Sequence, residues 1–213
     1  MTEMSPIGTN GRLSPVHARL PMSEKIDLKV KQGRRVYGVE LKIVDESGNR
    51  VPHDGVSNGE LYVRGNKIIS DYYNNPEATS AAMDSEGWFG TGDVATLDSN
   101  GFLTITDRAK DLIKSGGEWI SSIDVENMAM SHEHVSNCAV IAIPDPKWDE
   151  RPLLIVVPKP EQEPDSKSIL AHLAKNLAKW QVPDDVVFVE SLPLTATGKV
   201  SKLTLRKEYG ETN

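Results

Sequence analysis

The chain has 213 residues and a formal net charge of −7 at neutral pH. This acidic balance lacks the basic patch that nucleic-acid binding requires, so we expect no nucleic-acid partner. No apolar stretch approaches the roughly 20 residues needed to span a bilayer, and the first residues lack the basic and apolar pattern of a secretory leader. We therefore expect a soluble, cytoplasmic protein without a membrane span.

The single cysteine, Cys138, excludes an internal disulfide bond and fits a reducing compartment. It opens the apolar run "CAVIAI", so we expect a buried thiol rather than a nucleophile. His132 and His134 flank Glu133, but the sequence offers no further cysteine or histidine at ligand spacing. A zinc site is therefore not predicted.

The first part of the chain is predicted to be mostly antiparallel β-structure. Residues 1–38 have weak periodicity, and the stretches "NGRLSP" and "RLPMSE" within them are predicted to be loop. Residues 39–44, "VELKIV", and 59–65, "GELYVRG", alternate in the manner of half-buried strands. The sequence "DESGN", which follows the first of these strands, predicts a turn.

A short helix and a hairpin complete this part. The sequence "NPEATSAAM" predicts a helix with Asn75 as its N-cap and Pro76 at its first position. The sequence "VATLDSNGFLTIT" predicts a hairpin that turns at Asn100 and Gly101.

The second part alternates strands and helices. A helix is predicted at 123–130, followed by the strand "CAVIAIP", the loop "DPKWDERP" and the strand "LLIVV". A helix at 166–179, capped by Asp165 or Ser166, precedes the strand "VVFVE" and the arm "PLTATGK". The sequence thus predicts an α+β protein, with an antiparallel β-rich subdomain (1–108) followed by a small α/β domain (109–213).

The sequence "GWFGTGD" at 87–93 offers a candidate ligand site. Its glycines permit a tight turn and a close backbone approach to a ligand. Asp93 is predicted to lie on a loop just before a strand, where its carboxylate could accept hydrogen bonds from a vicinal diol such as that of a ribose. The alternative is a turn aspartate that binds neighbouring backbone N–H groups.

The segment "DRAKDLIKSGGEWIS", 107–121, mixes charged residues with a glycine pair. Its bases and acids would also be explained by a solvated charged surface: Arg108, Lys110 and Lys114 with Asp107 and Asp111. Gly116 and Gly117 could let the backbone line a narrow tunnel, with Trp119 as its wall.

The sequence "PLTATGKVSK", 193–202, places a lysine behind a flexible Thr-Ala-Thr-Gly arm. It is not a Walker phosphate loop, because Pro193 stands at the first glycine position and Val200 follows the lysine. The ammonium of Lys199 would suit charge that develops on a carboxylate and a phosphate during acyl transfer. The alternative is an ordinary surface lysine.

Together and in this order, these segments resemble the adenylate-forming acyl-CoA synthetase family over essentially the whole chain. "MTEMSP" is similar to the end of the family's Tyr-Gly-x-Thr-Glu motif, and "GWFGTGD" to its Trp-x-x-Thr-Gly-Asp motif. Residues 107–121 are similar to the hinge and glycine-loop motif, and "PLTATGKVSK" to the C-terminal Pro-x-Thr-x-x-Gly-Lys motif. The variants "GGEWIS", "PKWDERP" and "AKWQVPDD" are similar to the fatty-acyl and methylmercaptopropionate-CoA ligase branch.

The resemblance implies a two-step reaction. ATP and a small-molecule carboxylic acid give an acyl-adenylate and pyrophosphate, and coenzyme A then gives acyl-CoA and AMP. By motif position, Thr2 contacts phosphate, Glu3 holds Mg²⁺, and Asp93 and Arg108 bind the ribose hydroxyls. A homodimer of the full-length enzyme is a further expectation.

The resemblance also implies two roles for the second domain. Lys110 is the hinge, with Asp111 beside it, and Lys199 bridges the carboxylate and the α-phosphate with Lys202 as a neighbour. The residues expected to meet the pantetheine arm of coenzyme A are Gly116, Gly117, Glu118 and Trp119, with Lys114 and Glu150.

Parts of the family pattern lie outside these 213 residues. The Ser/Thr/Gly-rich loop for ATP phosphates and most of the acyl pocket are absent, so we expect a C-terminal fragment, a truncated gene model or one piece of a split protein, inactive by itself. Two alternatives remain open: a non-catalytic binding or interaction module, and another adenylate former such as an aryl-CoA ligase or a carrier-protein-loading domain.

Overall fold

A computed structural model describes residues 1–160 and 165–210. The chain divides into two compact units, the first comprising Met1–Ala109 and the second beginning at Lys110. Both units combine antiparallel strands with helices, which confirms the predicted α+β class. Within the described residues, no helix has the length and apolarity needed to cross a membrane.

The first unit is a six-stranded antiparallel sheet with two α-helices. In chain order its elements are β1 (Thr9–Asn10), α1 (Met22–Lys29), β2 (Gly33–Arg35), β3 (Val39–Val44), β4 (Gly59–Gly65), α2 (Pro76–Ala82), β5 (Phe89–Leu97) and β6 (Phe102–Arg108). The strand order is β1-β2-β6-β5-β4-β3. Short 3₁₀-helices occupy Thr2–Met4 and His17–Arg19.

Alternating apolar residues of the central strands form the core of this unit. Ile43, Leu61, Val63 and Phe89 are buried together there. Because successive side chains of a strand point to opposite faces, this alternation fixes which face each strand buries. The strands predicted at 39–44 and 59–65 are confirmed.

The predicted helix and hairpin are also confirmed. The side chain of Asn75 accepts a hydrogen bond from the backbone N–H of Ala78 at 3.0 Å and so caps α2. Strands β5 and β6 pair in antiparallel fashion around the turn. In that turn Gly101 has a φ of 78°, a conformation that favours glycine.

Two expectations for the first unit are wrong. The stretch "RLPMSE" is not loop throughout, since α1 begins at Met22. Strands β1 and β2 were not predicted. Asp93 does not precede a strand but lies within β5, opposite Arg108 on β6. Gly92, with a φ of 69°, lets the strand pass through this position.

The second unit is built on a five-stranded sheet. In chain order its described elements are β7 (Ile113–Ser115), β8 (Glu118–Ile120), α3 (Ser122–Met130), β9 (Val135–Asp145), β10 (Asp149–Pro158), α4 (Ser166–Asn176), β11 (Asp185–Phe188) and α5 (Lys202–Tyr209). The sheet order is β11-β10-β7-β8, and β9 also pairs with β10. Strand β11 runs parallel to β10, and the other pairings are antiparallel.

Both faces of this sheet are covered by helices. Along β9, Cys138 and Val140 pack in a cluster with residues of α3 and α4, while Ala139 and Ile141 pack with Leu205 of α5. A strand that is buried on both faces reads as a continuous apolar run, which explains "CAVIAI". Cys138 is buried as expected, and burial raises the pKa of its thiol to about 12.

The helix expectations for the second unit are largely confirmed. Helix α3 forms where it was predicted, and Asp165 caps α4 by accepting hydrogen bonds from the backbone N–H groups of Lys167 and Ser168. Helix α4 ends at Asn176 rather than 179, because the chain continues into a separate 3₁₀-helix at Lys179–Gln181.

One further expectation for the second unit is wrong, and one helix was missed. The segment "DPKWDERP" is not a long loop, since β10 already begins at Asp149 and pairs with β9. The carboxylate of Asp145 accepts hydrogen bonds from the N–H groups of Lys147 and Trp148, both at 2.8 Å, and so closes the turn tightly. Helix α5 was not predicted at all.

Candidate active site

Asp93 and Arg108 form an ion pair across neighbouring strands of the first unit. Arg108 Nε lies 2.9 Å from Asp93 Oδ1, and the two residues are register partners on β5 and β6. The Asp93 side chain is 14% exposed, whereas that of Arg108 is 53% exposed. The hydroxyl of Thr91 accepts a hydrogen bond from the N–H of Asp93 at 3.1 Å, which fixes the backbone there.

Burial raises the pKa of the Asp93 carboxyl, while the Arg108 guanidinium opposes that rise. A carboxylate that is mostly removed from water forms few hydrogen bonds with solvent. A ligand hydroxyl could therefore donate a hydrogen bond to it where water does not. The exposed guanidinium supplies N–H donors on the solvent side. This pair can therefore bind a group that offers both donors and acceptors, such as a diol.

Thr2 and Glu3 lie on the 3₁₀-helix at the start of the first unit. The side chain of Glu3 is half-buried, and its Oε1 accepts a hydrogen bond from the Tyr72 hydroxyl at 3.2 Å. Its backbone carbonyl accepts a hydrogen bond from the N–H of Ile69 at 3.0 Å. Glu3 is thus fixed in position, whereas Thr2 is exposed.

In the second unit, the glycine pair forms the turn between β7 and β8. Gly116 has a φ of 59° and Gly117 a φ of 88°, both in the left-handed region that favours glycine. The N–H of Gly116 donates to the carbonyl of Trp148 at 2.8 Å. A Cβ at Gly116 would lie 2.7 Å from Trp148 Cε3, so the two segments can meet only if this residue lacks a side chain.

Three other predicted residues surround this turn. The N–H of Lys114 donates to Glu150 Oε2 at 2.9 Å, and its Nζ lies 5.4 Å from the centre of the Trp119 ring. Trp119 and Glu118 are both exposed. The structure therefore brings Lys114, Glu150 and Trp119 together beside the glycine turn.

An open groove of about 570 Å³ lies against the glycine turn. The residues that line it are Ser115, Gly116, Glu118, Trp148, Arg151, Lys179, Trp180 and Asp184. Trp148 and Trp180 were not predicted as site residues, although they are 43% and 39% exposed. Two exposed indoles that line one groove form an apolar surface to which a ligand could bind, but the sequence does not reveal which tryptophans are exposed.

Buried Arg151 organises the floor of this groove. Its Nη1 donates to Ser115 Oγ at 3.0 Å and to the carbonyl of Trp180 at 2.7 Å. Its Nη2 donates to the carbonyl of Val182 at 2.8 Å. Arg151 thereby joins the strand that leads into the glycine turn to the segment that carries Trp180. Its position within an apolar strand gave no indication of this role.

Lys199 lies on a closed turn rather than on a flexible arm, which corrects the expectation. The N–H of Thr195 donates to the carbonyl of Lys199 at 2.6 Å, and Leu194 and Val200 form an isolated β-bridge. Gly198, with a φ of 80°, permits the turn. Lys199 is exposed, and no residue in the described part of the chain accepts a hydrogen bond from its Nζ.

Lys110, Asp111 and Lys202 have different environments. Lys110 is exposed at the start of the second unit. Asp111 forms an ion pair with Arg206, and Lys202 forms one with Glu126. Asp111 and Lys202 are therefore engaged within their own unit.

Known family models match part of each unit. Residues 1–73 match the model of the AMP-binding enzyme family, and residues 124–199 match that of the AMP-binding enzyme C-terminal domain. The chain belongs to the AMP-binding enzyme family.

Within that family, the sequence of this chain is strongly similar to those of acyl-CoA ligases. The chain is 52% identical over 209 residues to 3-methylmercaptopropionyl-CoA ligase of Ruegeria pomeroyi and 50% identical over 211 residues to medium-chain-fatty-acid–CoA ligase of Ectopseudomonas oleovorans. These alignments cover 98% and 99% of this chain but 38% of each relative. The chain thus spans just over a third of the length of these relatives.

Solved structures show the same fold. The o-succinylbenzoate CoA synthetase of Bacillus subtilis, in complex with its acyl-adenylate intermediate, superposes with a TM-score of 0.82 at 29% identity, over 100% of this chain and 40% of that chain. ATP-bound MatB from Rhodopseudomonas palustris superposes with a TM-score of 0.77 at 30% identity, over 85% of this chain and 36% of that chain.

Proposed function

We propose that these residues form part of an AMP-forming acyl-CoA synthetase. The Asp93–Arg108 pair carries the proposal, because it unites two motif segments at a place suited to a ribose diol. The similarity to methylmercaptopropionyl-CoA and fatty-acyl-CoA ligases supports a carboxylic-acid substrate of that kind. Because the chain spans 38% of those relatives, the full reaction is proposed for the complete enzyme, acting in the cytoplasm.

In the first step, a carboxylate oxygen of the acid attacks the α-phosphorus of ATP. The bond from that phosphorus to the bridging oxygen breaks, and pyrophosphate leaves. Asp93 and Arg108 would hold the ribose, Thr2 would contact phosphate, and the ammonium of Lys199 would lie between the carboxylate and the α-phosphate. A preorganised cation there stabilises the charge that builds up in the transition state.

Glu3 fits the requirements of a Mg²⁺ ligand. Its carboxylate is held in place by Tyr72, and Mg²⁺ in nucleotide sites is commonly bound by one or two carboxylates together with substrate phosphates and water. A Mg²⁺ bound there would neutralise negative charge on the phosphates. Glu3 would supply one oxygen ligand, and its hydrogen bond from Tyr72 would keep the remaining lone pairs oriented.

In the second step, the thiol of coenzyme A releases its proton to solvent as its sulfur attacks the acyl carbon, and AMP leaves with the electron pair of the broken mixed-anhydride bond. Gly116 and Gly117 would let the pantetheine arm pass close to the backbone. The groove beside them offers the exposed indoles of Trp148 and Trp180 to a planar base and Lys179 to a phosphate. Rotation at Lys110 would present Lys199 in one step and the glycine turn in the other.

The test uses the natural polypeptide that contains these residues. Acid-dependent exchange of pyrophosphate into ATP is measured across a panel of methylthio-substituted and medium-chain carboxylic acids. We expect Lys199→Ala to lower this exchange by about 10²-fold, whereas the control Lys207→Ala, an exposed lysine of α5, leaves it unchanged. Exchange at the wild-type rate in Lys199→Ala would refute the proposed role.

A binding measurement on the 213-residue chain complements the kinetics. Titration calorimetry with AMP should show binding that is weakened in Asp93→Asn and in Arg108→Met. Each removes one side of the pair without changing the size of the side chain greatly. Equal affinity in wild type and both variants would contradict the assignment of this pair to the ribose.

A further inference from the structure

We propose that Lys202 and Asp111 are positioning residues rather than ligand-binding residues. Each forms an ion pair that fixes helix α5, and α5 carries the turn on which Lys199 lies. The inference rests on the proposed role of Lys199 in the first step. Two ion pairs within the second unit would hold the backbone of that lysine in place.

The first ion pair joins α5 to α3. Lys202 Nζ lies 2.6 Å from Glu126 Oε1 and donates to Ser122 Oγ, also at 2.6 Å. Glu126 Oε1 in turn accepts a hydrogen bond from the N–H of Val140 on β9 at 2.8 Å. The Lys202 side chain is only 14% exposed. Two of the three donors of the Lys202 ammonium are therefore used within the second unit.

The second ion pair joins α5 to the start of the unit. Arg206 Nη1 lies 2.8 Å from Asp111 Oδ1, and the Asp111 carboxylate is largely buried. Lys202 and Arg206 are four residues apart and so lie on the same side of α5. Asp111 is the second residue of the unit, next to the proposed hinge at Lys110. This contact therefore ties α5 to the part of the unit nearest the hinge.

A continuous set of contacts leads from α5 to Lys199. The N–H of Ser201 donates to the carbonyl of Pro193 at 2.8 Å, and Ser201 Oγ caps the helix by accepting from the N–H of Thr204. Leu205, in the middle of α5, is buried against the sheet. The helix is held on both its apolar and its charged sides. The backbone of the closed turn at Lys199 is therefore fixed in position.

A fixed backbone position matters because a lysine side chain is long and rotatable. Catalytic groups act well only when they are held close to the productive geometry, and displacements near 1 Å cost rate. The Lys199 ammonium itself is free among the described residues, so its placement depends on its backbone. The two ion pairs supply that placement without touching a substrate.

The test is amide hydrogen exchange on the 213-residue chain. We expect Lys202→Met and Arg206→Met to accelerate exchange at the amides of Thr195 and Ser201 by about ten-fold, with β10 unchanged. The matched control is Lys207→Met, an exposed lysine on the same helix. Lys202→Arg, which keeps the charge, should restore most of the protection.

Exchange equal to that of the control in both methionine variants would overturn the inference. If either variant unfolds the second unit, Asp111→Asn replaces it, because this change keeps the shape and removes only the charge. Faster exchange confined to the turn in Asp111→Asn then supports the proposal, and unchanged exchange contradicts it.

Kinetics of the natural polypeptide separate positioning from general destabilisation. Lys202→Met should lower pyrophosphate exchange by about ten-fold while leaving the reaction of preformed acyl-adenylate with coenzyme A unchanged; equal losses in both steps would contradict positioning. If Lys199→Ala loses exchange but Lys202→Met and Arg206→Met do not, only this inference fails. If Lys199→Ala retains exchange, the proposed function fails first.

Discussion

Arg151 binds Asp184 through two hydrogen bonds, from Nε at 2.6 Å and from Nη2 at 3.0 Å. The planar guanidinium matches the carboxylate, so both groups are held in one geometry. With its three further bonds, Arg151 uses all its donor nitrogens on the protein. One buried guanidinium therefore holds together the segments that form the groove beside the glycine turn.

Replacing Arg151 by methionine should lower the free energy of unfolding by about 2–4 kcal/mol. The buried hydroxyl of Ser115 and the carbonyls of Trp180 and Val182 would lose their donor. Urea denaturation followed by tryptophan fluorescence measures this change. Lys179→Met, on the exposed rim of the same groove, is the control and should cost less than about 0.5 kcal/mol. Equal losses in both variants would contradict the role assigned to Arg151.

Alanine at Gly116 should disturb Trp148 more than alanine at Gly117 does. Both positions have positive φ, which costs an alanine roughly 1–2 kcal/mol, but only at Gly116 would the new Cβ meet the indole ring. Fluorine NMR of 5-fluorotryptophan-labelled protein resolves the Trp148 signal. We expect it to move in Gly116→Ala and to stay close to its wild-type position in Gly117→Ala. Equal shifts of the Trp148 signal in the two variants would contradict a clash specific to Gly116.

Cys138 should resist thiol reagents at pH 8. Burial raises the pKa of its thiol to about 12, with the neighbouring Glu126 carboxylate acting in the same direction. With the usual value near 8.5 in the unfolded chain, the folded thiolate fraction is lower by about 10³-fold. Labelling with a chromogenic disulfide, compared in buffer and in denaturant, measures this ratio. Comparable rates in both would refute burial of the thiol.

Ionisation of the Cys138 thiol should lower the free energy of unfolding at alkaline pH. Because its pKa is higher in the folded than in the unfolded chain, it contributes stability fully below the unfolded value and loses it as pH rises towards about 12. Urea midpoints measured from pH 8 to 11 should fall more steeply in wild type than in Cys138→Ala. Parallel curves would contradict the prediction.

His132 should make the second unit less stable in acid. Burial lowers the pKa of its imidazole, and His134 and His172 act in the same direction, whereas Glu133 and Asp165 oppose them. The ring contacts both histidines, and its Nε2 lies 3.1 Å from Ser168 Oγ on α4. Since the folded pKa is the lower one, the full stability is present above the unfolded value near 6.5 and declines as pH falls below it.

Urea denaturation at pH 7.5 and pH 5.5 measures this effect. The difference in the free energy of unfolding between the two pH values should be smaller in His132→Gln than in wild type. His53→Gln, at an exposed position in the first unit, is the control and should behave like wild type. A His132→Gln variant with the wild-type pH dependence would exclude His132 as the titrating group.

Local features of the sequence were sufficient for most elements. Alternation located β3 and β4, and the capping residues Asn75 and Asp165 marked the starts of α2 and α4. These signals act within a few residues, so they can be read along the chain. The order of four short motifs likewise indicated the family without any knowledge of contacts.

The roles of Asp111, Arg151 and Lys202 were decided by tertiary structure. Arg206 lies 95 positions from Asp111 along the chain, Ser122 lies 80 from Lys202, and Asp184 lies 33 from Arg151. No periodicity or motif spacing specifies which distant partner a charged side chain will meet. The sequence by itself determined most of the elements, the family and the motif residues, because propensity, capping and motif order are local. Only the packed fold decided which charges are bound internally and which, like Lys199, face solvent, because burial and pairing are properties of distant segments brought together.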